Sequence, residues 1–147
     1  MESIERKLTR NTQLGWATGA LGISAYVGIT MIYLLYFLTQ ALDISPAWAG
    51  IALLIPRIWD GITDPVMGAI SDRTKTRMGR RRPFILIGGP LFGLAFAAIF
   101  LAPSDASEMT KVIYVTIAFL ITSTVYTVYY VPYSAMIPEM TASYKER

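Results

Sequence analysis

Two aspartates, Asp60 and Asp64, stand four residues apart in a stretch, 46–70, that otherwise reads as a membrane-spanning helix. A spacing of four sets both carboxylates on one helical face, one turn apart. Arg57, three residues before Asp60, falls on the same face. A charge at bilayer depth costs about 2.5–3.5 kcal/mol on insertion scales, so it persists only against a protein interior or wet cavity, with a partner. Two acids against one base leave an oxygen-rich pocket of net negative charge. That pocket suits a small cation, Na⁺ or H⁺, with Asp60 and Asp64 as its ligands and Arg57 as their support.

Long apolar runs must hold these groups in place. The chain has 147 residues, of which 54% are hydrophobic, and its mean hydropathy of +0.46 is too high for an ordinary soluble domain. The runs lack a periodic polar face, so lipid is their expected surroundings. Four of them, 14–39, 46–70, 83–102 and 110–137, predict an all-α membrane protein of about four transmembrane helices. Gly15, Gly19, Gly22 and Gly28 suit close helix packing in the first run. Ser45 reads as an N-cap with Pro46 at the first helical position. Pro56 and Pro65 are expected to interrupt the second helix on either side of Asp60, with Pro90 in the third and Pro132 in the fourth. Each proline frees a backbone carbonyl, as in broken helices that line transport pathways.

The loops predict direction. Residues 1–13 carry Arg6, Lys7 and Arg10, and the link 71–82 carries Arg73, Lys75, Arg77, Arg80, Arg81 and Arg82. The opposite links hold Asp43, Asp105 and Glu108. The positive-inside rule then puts both ends of this stretch, including 138–147, in the cytoplasm, with a plasma or inner membrane as the location. Seven charged residues between Asp72 and Arg82 account for much of the basicity, so the net charge of +3 is one loop rather than a nucleic-acid surface. With no cysteine and no histidine, the chain offers no disulfide and no thiolate or imidazole ligand, which argues against zinc catalysis. No phosphate-binding glycine loop or nucleophile–base pair points to an enzyme, and no cofactor is expected beyond the coupling ion.

Depth brings in the fourth helix. Asp60 and Asp64 lie about 21 and 27 Å along helix two from Pro46, and Thr127 about 25 Å along helix four from Thr110. A hydroxyl at that level could complete an oxygen shell of the kind hard cations prefer. Alternatively Thr122, Ser123, Thr124 and Thr127 hydrogen-bond within their helix or to neighbours.

The basic loop has its own pattern. Gly68 would permit close backbone approach and Gly79 a positive-φ turn. Asp72 can pair with an arginine or a helix end. Arg57, Asp60, Asp64, Pro65 and Gly68, followed by Asp72, Arg73 and the run Gly79 to Pro83, closely resemble the glycoside–pentoside–hexuronide:cation symporters, the melibiose-permease group of the major facilitator superfamily. Tyr130, Pro132, Pro138, Glu139 and Thr141, then Glu146 and Arg147, resemble the end of helix four in the same group.

The resemblance implies that Asp60, Asp64 and Thr127 are the cation ligands, with Arg57 one turn before them. It implies that Gly68, Asp72, Arg73, Gly79, Arg80, Arg81 and Arg82 form a cytoplasmic gating loop. The sugar-binding acids of melibiose permeases are absent: Ser24 and Tyr130 stand at those positions. Ser24, Tyr26, Tyr130 and Ser134 are the substrate contacts it implies, with aromatic rings in place of the acids.

The family has twelve spans and this stretch supplies about four. It is therefore expected to be part of a longer transporter, whether cut short, encoded as a gene fragment or one piece of a split protein. Membrane lipid, a sugar-like solute and the remaining helices are its expected partners. The leading function is cation-coupled uptake of a sugar or glycoside by alternating access. Transport of a lysolipid or other amphiphile, and a non-transporting membrane scaffold, are the competing readings.

Overall fold

The computed structural model describes residues 10–136, all of whose regular structure is helical. α1 (Arg10–Gly28) runs on through a π-turn (Ile29–Tyr33), a short α stretch (Leu34–Tyr36) and a second π-turn (Phe37–Ala41). α2 (Pro46–Arg73), α3 (Arg82–Ile99) and α4 (Glu108–Ser134) follow. α4 is central, packing against α2 on one side and α3 on the other.

The π-turns in the first helix have a visible cause. Tyr26, Thr30, Leu34, Leu38 and Leu42 are all buried, at a strict spacing of four. Four residues overshoot a 3.6-residue turn by about 40°, so a plain α-helix would rotate this row out of the interface. The wider i→i+5 turns take up the drift, with Leu34 N–H donating to Ile29 O and Leu42 N–H to Phe37 O.

Among the described residues, three helices are apolar and long enough to cross a membrane: 14–41, 82–99 and 108–134. α2 is equally long at 28 residues, but Arg57, Asp60, Asp64, Asp72 and Arg73 lower its hydropathy. Its place beside α4 is what argues for a fourth span.

Several expectations need adjustment. The prolines do not interrupt the helices: α2 continues through Pro56 and Pro65, α3 through Pro90 and α4 through Pro132. Each proline costs one hydrogen bond, freeing the carbonyl four residues back, namely Ala52 and Gly61 in α2. Packing around buried Pro56 and Pro132 holds the rod together across the gap. Among the glycines of α1, Gly19 alone makes a close contact, against Tyr133 and Tyr129. Gly15, Gly22 and Gly28 face open space. Helix ends also differ from the expected spans. α3 stops at Ile99, where Phe100 and Leu101 turn back onto Ala97 and Ala98. α2 extends to Arg73. The end segments 1–9 and 137–147, with Pro138, Glu139, Thr141, Glu146 and Arg147, lie outside the described residues.

One turn of α4 pins the link between the first helix and α2. Glu108 accepts from Ser45 N–H at 2.8 Å, so a carboxylate caps the start of α2. Lys111 donates to Leu42 O at 2.9 Å and closes the end of the first helix. Asp43, at φ 55°, makes the sharp bend between them.

Candidate cation site

α2 and α4 run side by side in one constant register. Residue i of α2 meets residue i+63 of α4 at Ser45 and Glu108, Asp60 and Ser123, Asp64 and Thr127. Gly68 continues the series, its missing Cβ lying 3.9 Å from Val131. Buried positions explain the match: Ala49, Ala52 and Pro56 on α2 recur at spacings of three and four, as do Val112, Val115 and Phe119 on α4. Such rows interlock when helices cross at a shallow angle.

The carboxylates fall on the polar continuation of that seam. Thr127 Oγ1 donates to Asp64 Oδ1 at 2.8 Å, and Ser123 Oγ donates to Asp60 Oδ1. Both hydroxyls are buried, each 1% exposed. Arg57 Nη1 stands 3.8 Å from Asp60 Oδ2, an ion pair longer than a hydrogen bond. Trp59 Nε1 donates to Thr124 Oγ1 at 2.9 Å beside the pair. Asp60 is half-buried, whereas Asp64 is exposed on the surface of the described residues.

An ionised carboxylate offers about four lone-pair sites, and one hydroxyl satisfies only one of them. The pair therefore retains unmet acceptor capacity on a net negative patch, and can hold a cation through oxygen ligands. The equal depth read from helical rise corresponds to a direct hydrogen bond between Thr127 and Asp64. Ser123 is the residue the sequence reading passed over, treating it with Thr122 and Thr124 as a packing hydroxyl. The available signal was that Ser123 precedes Thr127 by the same four residues that separate Asp60 from Asp64. Thr122 and Thr124 do bond within and between helices, Thr122 to Ala95 O and Ala118 O, Thr124 to Leu120 O.

The other named residues separate into two groups. Tyr26 is 4% exposed, sealed by Phe92, Phe96 and Tyr126. Tyr126 stacks on Tyr130 with centroids 5.0 Å apart, leaving Tyr130 on the surface. Tyr26, Tyr126 and Tyr130 thus form one ring cluster, and Tyr126 directly precedes Thr127 on α4. Ser24 is exposed on α1 and Ser134 turns onto Val131 O of its own helix at 3.1 Å. Neither joins that cluster by a side-chain hydrogen bond.

At the far end of α2, Arg81 ties three elements together. Its guanidinium bonds Asp72 Oδ1 at 2.8 Å and the Ala135 carbonyl at the end of α4. A cation there answers both a carboxylate and the negative end of a helix. Gly79, at φ 101°, makes the turn that brings Arg81 back, while Arg73, Arg80 and Arg82 remain exposed.

Residues 15–147 match the model of the family described as MFS/sugar transport protein. The chain belongs to that family. YagG of Escherichia coli (strain K12), named for glycoside/cation symport, is 38% identical over 141 residues, covering 96% of this chain and 30% of YagG. The symporter sll1374 of Synechocystis sp. is 38% identical over 147 residues, covering 96% of this chain and 27% of its own length. The sodium-dependent lysophosphatidylcholine symporter 1-B of Danio rerio is 36% identical over 114 residues, 77% of this chain and 21% of its own. The chain thus spans under a third of the length of these relatives. Membership and apolar helices together make it an integral membrane protein.

Proposed function

We propose that these residues form the cation-binding part of a secondary transporter that couples Na⁺ or H⁺ to uptake of a sugar or glycoside. The observation that carries the reading is the double pairing across one seam, Asp60 with Ser123 and Asp64 with Thr127. A cation there neutralises charge that lipid penalises, and so favours the conformation in which the site closes. Alternating access requires the remaining helices of the transporter, since the moving halves rock about a midplane site. The tyrosine cluster offers ring faces and hydroxyls to a solute, with Tyr130 the accessible one. Both ends of the segment and the 74–81 turn lie in the cytoplasm in this scheme, on the inner face of the plasma membrane. Asp72, Arg81 and the end of α4 then form a cytoplasmic gate contact.

The test is gradient-driven accumulation by the full-length transporter with Asp60→Asn or Asp64→Asn. Both are expected to reach the membrane and to lose cation-stimulated uptake. Undiminished accumulation by both variants refutes the coupling role.

One feature favours an amphiphilic solute instead. A groove of about 330 Å³ between the first helix and α2 is lined by Met31, Leu35, Leu53, Leu54 and Phe119, with Arg57 among its walls. An apolar trough with one guanidinium suits a lipid tail and an anionic group. Competition of a glycoside against a lysolipid for uptake separates the two solute classes.

A further inference from the structure

α4 carries five serine and threonine hydroxyls between Thr116 and Thr127, and they divide by what they bond. Thr116, Thr122 and Thr124 each donate to the carbonyl four residues back in their own helix, at 2.7, 2.8 and 2.8 Å. This is the ordinary resting place of a helical hydroxyl. Ser123 and Thr127 leave it. Each donates across the seam to a carboxylate of α2, in the same register and with the same burial.

We infer that Ser123 is a second hydroxyl ligand of the coupling cation, serving Asp60 as Thr127 serves Asp64, and that it favours Na⁺ over H⁺. This rests on the cation site proposed above. A hydroxyl has one proton and two lone pairs. While it donates to Asp60, its proton occupies the space a cation would need. In the cation-bound state its O–H turns off Asp60, as a hydroxyl rotor can without moving its oxygen. The oxygen then presents a lone pair to the ion beside the Asp60 carboxylate. A cation between the rows then meets four protein oxygens, two from carboxylates and two from hydroxyls. A hard monovalent ion needs such a shell to replace its water. A proton does not, because one carboxylate oxygen holds it. Ser123 therefore contributes to Na⁺ binding and little to proton binding.

Full-length transporter in proteoliposomes provides the test, reading half-saturating Na⁺ and the ratio of Na⁺-driven to H⁺-driven uptake. Ser123→Ala is expected to raise half-saturating Na⁺ about tenfold, with H⁺-driven uptake held within about twofold. Ser123→Thr, which keeps the hydroxyl, should restore the parental Na⁺ response. If Ser123→Ala fails to reach the membrane, Ser123→Gly is measured in its place. An unchanged half-saturating Na⁺, an equal loss of both modes, or a parental protein indifferent to Na⁺ overturns the inference. Asp60→Asn distinguishes the two levels: if it abolishes coupling while Ser123→Ala leaves Na⁺ affinity intact, only the role of Ser123 falls. If Asp60→Asn leaves accumulation intact, the cation site itself falls.

Discussion

α4 meets α3 with glycine and rings, and meets α2 with carboxylates and hydroxyls. On the α3 side, a Cβ at Gly88 would lie 3.1 and 3.2 Å from Cβ and Cα of Tyr129, so the backbones nearly touch. Phe92 packs on Tyr126 and Tyr129, and Thr122 shares its hydroxyl between Ala118 O of its own helix and Ala95 O of α3. That side is held by close backbone approach, ring packing and a backbone-directed hydroxyl, the means by which helices associate in lipid. On the α2 side the contact is equally regular but chemically incomplete, since two carboxylates hold more acceptor capacity than Ser123 and Thr127 fill. Thr122 and Ser123 are consecutive residues set about 100° apart around the helix. One bonds backbone carbonyls, Ala95 O and Ala118 O, and the other a carboxylate of the proposed cation site. What separates a packing hydroxyl from a functional one is which helix it faces.

The comparison can be broken at several strengths. Asp64→Asn should have the largest effect, complete loss of gradient-driven accumulation at normal membrane levels, measured by solute uptake. Thr127→Val removes a hydroxyl without changing shape much, and should raise half-saturating Na⁺ about tenfold, read by uptake against Na⁺ at fixed pH. Gly88→Val inserts bulk against the Tyr129 backbone and should cost about 1–3 kcal/mol. Thermal unfolding in detergent should register that loss, while the surviving protein keeps its Na⁺ response. Thr122→Val is expected to cost about 1 kcal/mol of stability, again with cation response unchanged. A shift in Na⁺ affinity with Thr122→Val would erase the distinction between the two sides of α4.

Much of this was legible in the residues. Long apolar runs and the loops between them showed the helices, because burial in lipid demands length and leaves turns polar. Asp60 and Asp64 stood out because charge is so rare in such runs. The rest needed packing. The π-turns of the first helix were hidden because nearly every residue there is apolar, so no polar face betrays the row from Tyr26 to Leu42. Proline interruptions were over-read, since composition says where a hydrogen bond is lost and not whether the helix continues past the gap. Ser123 was passed over because three hydroxyls in succession, Thr122, Ser123 and Thr124, point three ways. Rotation about the helix axis decides among them, and only the i to i+63 register sets that rotation. Asp72 was recognised as a pairing residue, but its partner Arg81, reaching on to Ala135, depended on the turn at Gly79.

Equilibrium binding of radiolabelled Na⁺ to the purified full-length transporter, parental against Asp60→Asn and Asp64→Asn, tests the central claim most directly. The account predicts saturable binding that competes with protons in the parental protein and disappears in each variant. Equal binding in all three would contradict it.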